Sequence, residues 1–232
     1  MIAVGFLSGS IPFGWIIGRV KGIDVRKHGS GNIGATNLGR LFGFRYFVLC
    51  FVLDVLKGLL PTLALGHSLG RLGDFEMPAR DAWLWLAGMA APVLGHIFTP
   101  WLKFKGGKGV ATALGSLLGV FPMLTVAGAA AFGVWLVIFA VWRYVSLASV
   151  VAGFSLPLIV LAESLTVQQM GKIEQHTGVV VAAWPFLLMG LLLSATVLWT
   201  HRANIQRLRA GTELRAGKRT MGEANRPPPS SA

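Results

Sequence analysis

The amino-acid sequence predicts an all-α polytopic membrane protein with seven transmembrane helices, the fourth of them short, the amino terminus outside and the carboxyl terminus cytoplasmic. Three observations lead there. Of 232 residues, 54% are hydrophobic and only 13% are charged, against about 25% charged in an average soluble domain. Apolar runs recur at roughly the 17 to 25 residues that cross a bilayer. The lysines and arginines fall on alternate connections between those runs, as the positive-inside rule requires.

In chain order the long runs lie near 2–20, 46–65, 82–101, 123–142, 145–162 and 178–199. The first has no basic residue before it and no small-residue cleavage site after it, so it reads as a retained span and not a removed signal. A shorter run, Val110 to Phe121, is ambiguous by length and is decided by charge. If it crosses, Arg19, Lys21, Arg26, Lys27, Arg40, Arg45, Lys103, Lys105, Lys108, Arg143 and the seven basic residues after Thr200 all face inside. Arg71, Arg80 and Lys172 are then outside and Lys57 is within a span. If the short run were re-entrant, parity would flip and the basic tail would face outward, against the same rule.

Residues 1–210 therefore read as one seven-span membrane domain. Residues 211–232, ending Arg-Pro-Pro-Pro-Ser-Ser-Ala, read as a solvated, disordered cytoplasmic tail. No internal repeat and no soluble domain is visible. The net charge of +12 fits basic loops beside anionic lipid and does not point to nucleic acid. The single cysteine, Cys50, lies in an apolar run, excludes an internal disulfide and reads as inert packing.

Three polar clusters lie in the basic connections. The first, HGSGNIGATNLGR, holds Gly29, Gly31 and Gly34 in a G-x-G-x-x-G spacing, but it follows no buried strand, so it does not read as a dinucleotide fingerprint. Its glycines allow backbone amides to approach a ligand, and Ser30, Asn32, Thr36, Asn37 and Arg40 add donors, the ingredients of an anion nest. The second runs from Gly95 to Thr112 and carries Lys105, Gly106, Gly107, Lys108 and Gly109 into the amino end of the short span, where free N–H groups favour an anion. Gly109 stands where a Walker A loop needs Ser or Thr, so nucleotide hydrolysis is not indicated. A hydrogen bond to a charged group contributes roughly 1.5–3 kcal/mol and the helix dipole only about 0.3–1. The lysines should therefore matter more than the helix end.

The third cluster, HRANIQRLR, follows the last long run. On a continued helix His201 and Asn204 share a side that can face the other loops, while Arg207, Arg209 and Arg215 read as a basic flank. Within the second run Asp54 and Lys57 are three apart and can pair where unpaired charge costs about 2.5–3.5 kcal/mol, so they read as a brace between helices. His96 can cap or hydrogen-bond near the interface. His28, His67 and His176 show no ligand spacing, and no metal site is expected.

SGNIGATNLGR, the Asp54-Val-Leu-Lys57-Gly58 run, GHIFTPWLKFKGGKGVATALG and HRANIQRL, in this order between apolar runs, resemble the bacterial acyl-phosphate-dependent glycerol-3-phosphate acyltransferases. The resemblance extends to about Glu213. It implies a seven-span inner-membrane enzyme, with its active site on the cytoplasmic face, that moves an acyl chain from acyl phosphate to the sn-1 hydroxyl of glycerol 3-phosphate. The products implied are lysophosphatidate and inorganic phosphate, with no cofactor. By motif, Ser30, Gly31, Asn32, Thr36, Asn37 and Arg40 fall in the family's first phosphate loop and Lys105 to Gly109 in its glycerol-3-phosphate loop. His201, Asn204, Ser30 and Arg40 take the catalytic roles. Pro100 stands a residue later than the pattern and puts the local bend in question.

The chemistry of the residues agrees with this. Two phosphate-bearing substrates account for two basic glycine loops, and an activated acyl donor needs no covalent nucleophile, in keeping with the lack of a Ser-His-Asp arrangement. The proton of the attacking hydroxyl has two candidate acceptors, His201 and a phosphate oxygen of the substrate; the second is preferred, with His201 and Asn204 positioning. A phosphate-ester transporter is the alternative, though transporters place their sites at the bilayer midplane and not on one face.

Overall fold

The computed structural model describes residues 1–171 and 179–216, and among them every regular element is helical. The order is α1 (Ile2–Ser10), α2 (Phe13–Val20), a 3-10 turn (Val25–Lys27), α3 (Ala35–Phe42), α4 (Phe44–Ser68) and α5 (Ala79–Ile97). A second 3-10 turn (Pro100–Leu102), α6 (Val110–Gly119), α7 (Thr125–Trp142), α8 (Val145–Gln169) and α9 (Val179–Arg209) follow. Among the described residues six stretches are long and apolar enough to cross a membrane, and Val110–Gly119 is a shorter apolar helix. Lys172 and residues 217–232, to which the sequence assigns an outward position and a disordered tail, lie outside the described residues.

The first long run is not one helix. Pro12 lacks an N–H and restricts Ile11 to an extended conformation (φ −61°, ψ 117°), so the chain breaks between α1 and α2. A break at membrane depth frees carbonyls that have no water to satisfy them. Lys57 Nζ donates to the Ile11 carbonyl at 2.8 Å, and Thr99 Oγ1 donates to the Ser10 carbonyl at 2.6 Å. Trp101 Nε1 adds a bond to the Ser10 hydroxyl at 2.9 Å. Lys57 pairs in turn with Asp54 at 2.8 Å, both side chains 3% exposed. The brace expected of Asp54 and Lys57 thus joins α4 to the broken first span.

Prolines inside helices are repaired in the same way. Pro61 in α4 cannot donate to the carbonyl of Lys57, and the hydroxyl of Ser8 on α1 donates there instead, at 3.2 Å. Pro157 in α8 leaves the carbonyl of Gly153, and Ser194 of α9 donates to it at 2.6 Å. Each repair ties two helices together.

The short helix α6 lies against α4. A Cβ on Gly115 would stand 1.9 Å from the Val55 carbonyl oxygen, so only glycine permits this approach. α6 starts beside the end of α5, where Gly106 and Gly107 donate to the carbonyls of Ile97 and His96 at 3.0 and 3.1 Å. It ends beside the α4–α5 connection, where the Gly73 amide donates to the Phe121 carbonyl at 3.2 Å. α6 with its flanks therefore runs between the two ends of the bundle, the end that carries the second cluster and the opposite one.

Two apolar cores result. Trp85, Leu86, Met89, Leu124, Val160, Phe186 and Leu193 pack where α5 meets the elements from α6 to α9. Val25, Ile33, Leu38, Cys50 and Leu102 form a second core under the first glycine-rich loop. Cys50 is fully buried there, the packing role expected of it.

Candidate active site

The first loop is held from below. Val25, Ile33 and Leu38 are almost completely buried, which anchors the chain on both sides of the exposed Gly29–Gly31. Asn37, 1% exposed, has its amide committed. Its Oδ1 accepts from the Ser30 amide at 2.9 Å, and its Nδ2 donates to the carbonyls of Val25 and His28 at 3.0 and 3.1 Å. Its carbonyl and both amide hydrogens are spoken for. Asn37 thereby shapes the loop that carries Ser30. Asn32 Oδ1 accepts from Gly34 N at 2.8 Å, a turn that launches α3 at Gly34. Thr36 and Arg40, four apart on α3, share a half-buried face.

The second cluster is a return hairpin. Pro100 opens the 3-10 turn, which makes the bend its displacement had put in question. Lys103 and Phe104 take left-handed φ of 54° and 60°, and the chain then runs back along the end of α5. Phe104 N bonds Thr99 O at 2.9 Å, and the Gly106 and Gly107 amides follow on Ile97 and His96. The amides of Gly106 and Gly107, which the motif groups with the phosphate-binding residues, are used in folding the hairpin. Their glycine identity has a steric cause: a Cβ on Gly107 would stand 2.1 Å from His96 Nε2. His96 itself is buried, with Nδ1 3.8 Å from Asp54 Oδ1. Lys105 is exposed at the surface, whereas Lys108 is half-buried and turned inward.

The third cluster sits on an unbroken α9. His201 is 2% exposed and its Nδ1 is 2.9 Å from the Val197 carbonyl. A carbonyl only accepts, so in the neutral ring Nδ1 carries the proton and Nε2 keeps its lone pair. Asn204, one turn on, meets Lys108: Lys108 Nζ donates to Asn204 Oδ1 at 2.5 Å across 96 positions of sequence. Its Nδ2 donates to Glu213 Oε1 at 2.6 Å. The orientation of this amide is fixed by its neighbours, since an ammonium can only donate and a carboxylate only accept.

Glu213 closes the group. Its carboxylate also accepts from Ser146 Oγ at 2.7 Å and Arg207 Nε at 2.8 Å, and Arg40 Nη2 donates to the carbonyl of Leu214 at 3.3 Å. The first residues of the segment read as disordered tail, 211–216, therefore fold back onto the site. Sequence reasoning missed Glu213, Ser146 and the inward role of Arg207. The available signal was one acidic residue six positions after Arg207 in a stretch otherwise basic.

Charge follows from this packing. Burial pushes the Lys108 ammonium down to about 8; Glu213 opposes the shift and Arg207 and Arg40 add to it. Burial would raise Glu213, but the bonds from Asn204, Ser146 and Arg207 outweigh it and hold the carboxyl below its ordinary value. Arg40 is lowered chiefly by burial. Three cations thus surround one carboxylate, leaving the site positive for a phosphate. Ser30 and Gly31 lie exposed on the first loop, tied to the site through α3 and not by direct contact among the described bonds. Gly109, with φ of +80°, caps α6 just beyond Lys108.

These features define a class of protein: helical, apolar enough to cross a membrane, with cations from widely separated segments gathered at one end of the bundle. A family model described as Glycerol-3-phosphate acyltransferase matches residues 1–211. Glycerol-3-phosphate acyltransferase of Trichlorobacter lovleyi is 43% identical over 212 residues, covering 91% of this chain and 94% of the relative. That of Aquifex aeolicus is 40% identical over 217 residues, covering 93% and 97%. The crystal structure of PlsY (YgiH), an integral membrane glycerol 3-phosphate acyltransferase in its glycerol 3-phosphate form, superposes with a TM-score of 0.76 at 38% identity over 97% of both chains. Its lysophosphatidic acid form superposes at 0.73, also at 38% identity, over 92% of both chains. The chain belongs to the glycerol-3-phosphate acyltransferase family and is a membrane acyltransferase. The transporter alternative is set aside by this membership.

Proposed function

We propose that the chain transfers an acyl group from acyl phosphate to the sn-1 hydroxyl of glycerol 3-phosphate at the cytoplasmic face of a bacterial inner membrane. The observation that carries this reading is the 2.5 Å contact between Lys108 and Asn204, which sets a half-buried cation against the helix that also carries His201. One relative solved in glycerol 3-phosphate and lysophosphatidic acid forms supports the acceptor and the product.

Lys108 and Arg40 hold the phosphate of glycerol 3-phosphate, and the Ser30–Gly31 turn meets the phosphate of the donor. His201 Nε2 accepts a hydrogen bond from the sn-1 hydroxyl and orients it. The hydroxyl oxygen forms the new ester bond with the acyl carbonyl carbon, the bond from that carbon to the phosphate oxygen breaks, and the bonding pair leaves with phosphate. The hydroxyl proton goes to a phosphate oxygen of the substrate, whose second pKa near 6 makes it a competent base. Charge stabilisation and orientation, with no covalent enzyme intermediate, carry the acceleration.

Seven crossings follow if α6 and its flanks count as one, since that segment starts beside the end of α5 and finishes beside the α4–α5 connection. The amino terminus is then outside and the Lys108 end of the bundle cytoplasmic, with the basic connections on that side. The donor assignment is tested by giving detergent-purified protein labelled glycerol 3-phosphate with palmitoyl phosphate or with palmitoyl-coenzyme A. Labelled lysophosphatidate from palmitoyl phosphate without metal or nucleotide is expected; efficient transfer from the thioester alone contradicts the assignment.

A further inference from the structure

We infer that His96 is a positioning residue of the active site: its ring, wedged between the Asp54–Lys57 ion pair and the backbone of Gly107, fixes where Lys108 stands. The inference rests on the reading above in which Lys108 holds the acceptor phosphate. His96 is the penultimate residue of α5 and is 5% exposed. On one side of the ring, Nδ1 lies 3.8 Å from Asp54 Oδ1, an oxygen that Lys57 Nζ meets at 2.8 Å. The other carboxylate oxygen, Oδ2, accepts from the Cys50 thiol at 3.6 Å, and Lys57 is tied in turn to the Ile11 carbonyl. The ring therefore leans on a group that is itself held in place. On its other side, Nε2, Cδ2 and Cε1 are the three atoms nearest to where a Cβ on Gly107 would stand, at 2.1, 3.0 and 3.0 Å. The Gly107 backbone rests on the histidine.

That support reaches the next residue. Gly107 is buried between an exposed Lys105 and a half-buried Lys108, and a glycine has no side chain of its own to limit φ and ψ. What packs on Gly107 consequently sets the direction in which Lys108 leaves the hairpin. Lys108 Nζ reaches Asn204 Oδ1 on α9, and a shift of about an ångström at the hairpin would break a hydrogen bond of that length. Simple space-filling does not account for the ring. His96 Nδ1 is buried with no hydrogen-bond partner among the described residues, which is costly unless a nearby charge compensates it. The Asp54 carboxylate supplies that charge and favours the neutral ring with its proton on Nδ1, so one edge is drawn to α4 and the opposite edge meets the loop.

His96→Ala removes both contacts. KM for glycerol 3-phosphate should rise on the order of tenfold while kcat stays within about threefold, because a misdirected cation loses binding and not chemistry. Geometry is read separately and without substrate. In protein with Cys50 replaced, Lys108→Cys and Asn204→Cys are joined by a short bifunctional thiol reagent, and the rate of joining should fall by roughly threefold or more when His96→Ala is added. Should His96→Ala fail to fold, His96→Asn keeps a donor toward Asp54, is too short to cover Gly107, and is expected to give the same two results. An unchanged rate of joining overturns the inference, and so does a fall in kcat at constant KM. If joining slows while neither the His96 variant nor Lys108→Ala changes KM for glycerol 3-phosphate, the positioning of Lys108 stands and its phosphate assignment is removed.

Discussion

Truncating Lys108 to Ala removes a half-buried cation that, on the proposed function, meets the acceptor phosphate in both ground and transition states. KM for glycerol 3-phosphate should rise on the order of ten- to a hundredfold, by more than kcat falls, since a charged hydrogen bond contributes roughly 1.5–3 kcal/mol. The same residue predicts a pH dependence. Burial lowers its pKa to about 8, so kcat/KM should fall as pH rises through about 8 and the ammonium is lost in the free enzyme. The Lys108→Ala variant should lack that alkaline limb. His201→Gln separates positioning from proton removal: with the substrate phosphate as base, steady-state rates should persist at a few per cent or more of the parent. A loss beyond about a thousandfold in folded protein would make His201 the base. At this scale the sequence singled out Lys108, His201 and Asn204, which the fold brings to one place. It did not show that Asn37, Gly106 and Gly107 bond within their own loops, because a motif says nothing of the hydrogen bonds the fold itself uses.

Among elements, the strongest constraints are polar groups that repair the backbone inside the apolar bundle. Lys57 satisfies the Ile11 carbonyl and Asp54 together. Lys57→Ala leaves a buried carboxylate unpaired and should cost about 3–5 kcal/mol, seen as a large drop in the thermal unfolding temperature in detergent. Adding Asp54→Asn should recover part of it. If the double variant were less stable than Lys57→Ala by the full cost of a second independent lesion, the pair would not be the brace described. The pairing itself was legible from an i, i+3 spacing in an apolar run. What it braces was not: the break at Ile11–Pro12 became a reason for Lys57 only once α1, α2 and α4 were placed together. The helix starts followed hydropathy closely, but one proline divides the first run, and α8 and α9 continue past their apolar runs to Gln169 and Arg209.

The whole molecule brings three connections, separated by long apolar helices, to one end of the bundle. Orientation is tested by impermeant thiol labelling in intact cells with Cys50 replaced: a cysteine introduced as Ser230→Cys should stay unmodified, whereas Gly70→Cys, in the α4–α5 connection, should react. The opposite pattern would invert the topology. Hydropathy was enough to read the six long spans found among the described residues, since that depends only on local composition. The inward fold of residues 211–216 was not readable, because a basic, glycine-containing segment looks like tail until Asn204, Ser146 and Arg207 supply partners for Glu213. The claim on which the account depends is that Lys108 and Asn204, 96 positions apart, form one binding unit. A double-mutant cycle of Lys108→Ala and Asn204→Ala, read as kcat/KM for glycerol 3-phosphate, measures this directly. The account predicts a coupling of about 1 kcal/mol or more, with Asn204→Ala costing little once Lys108 is gone. Losses that add within about 0.5 kcal/mol would contradict it.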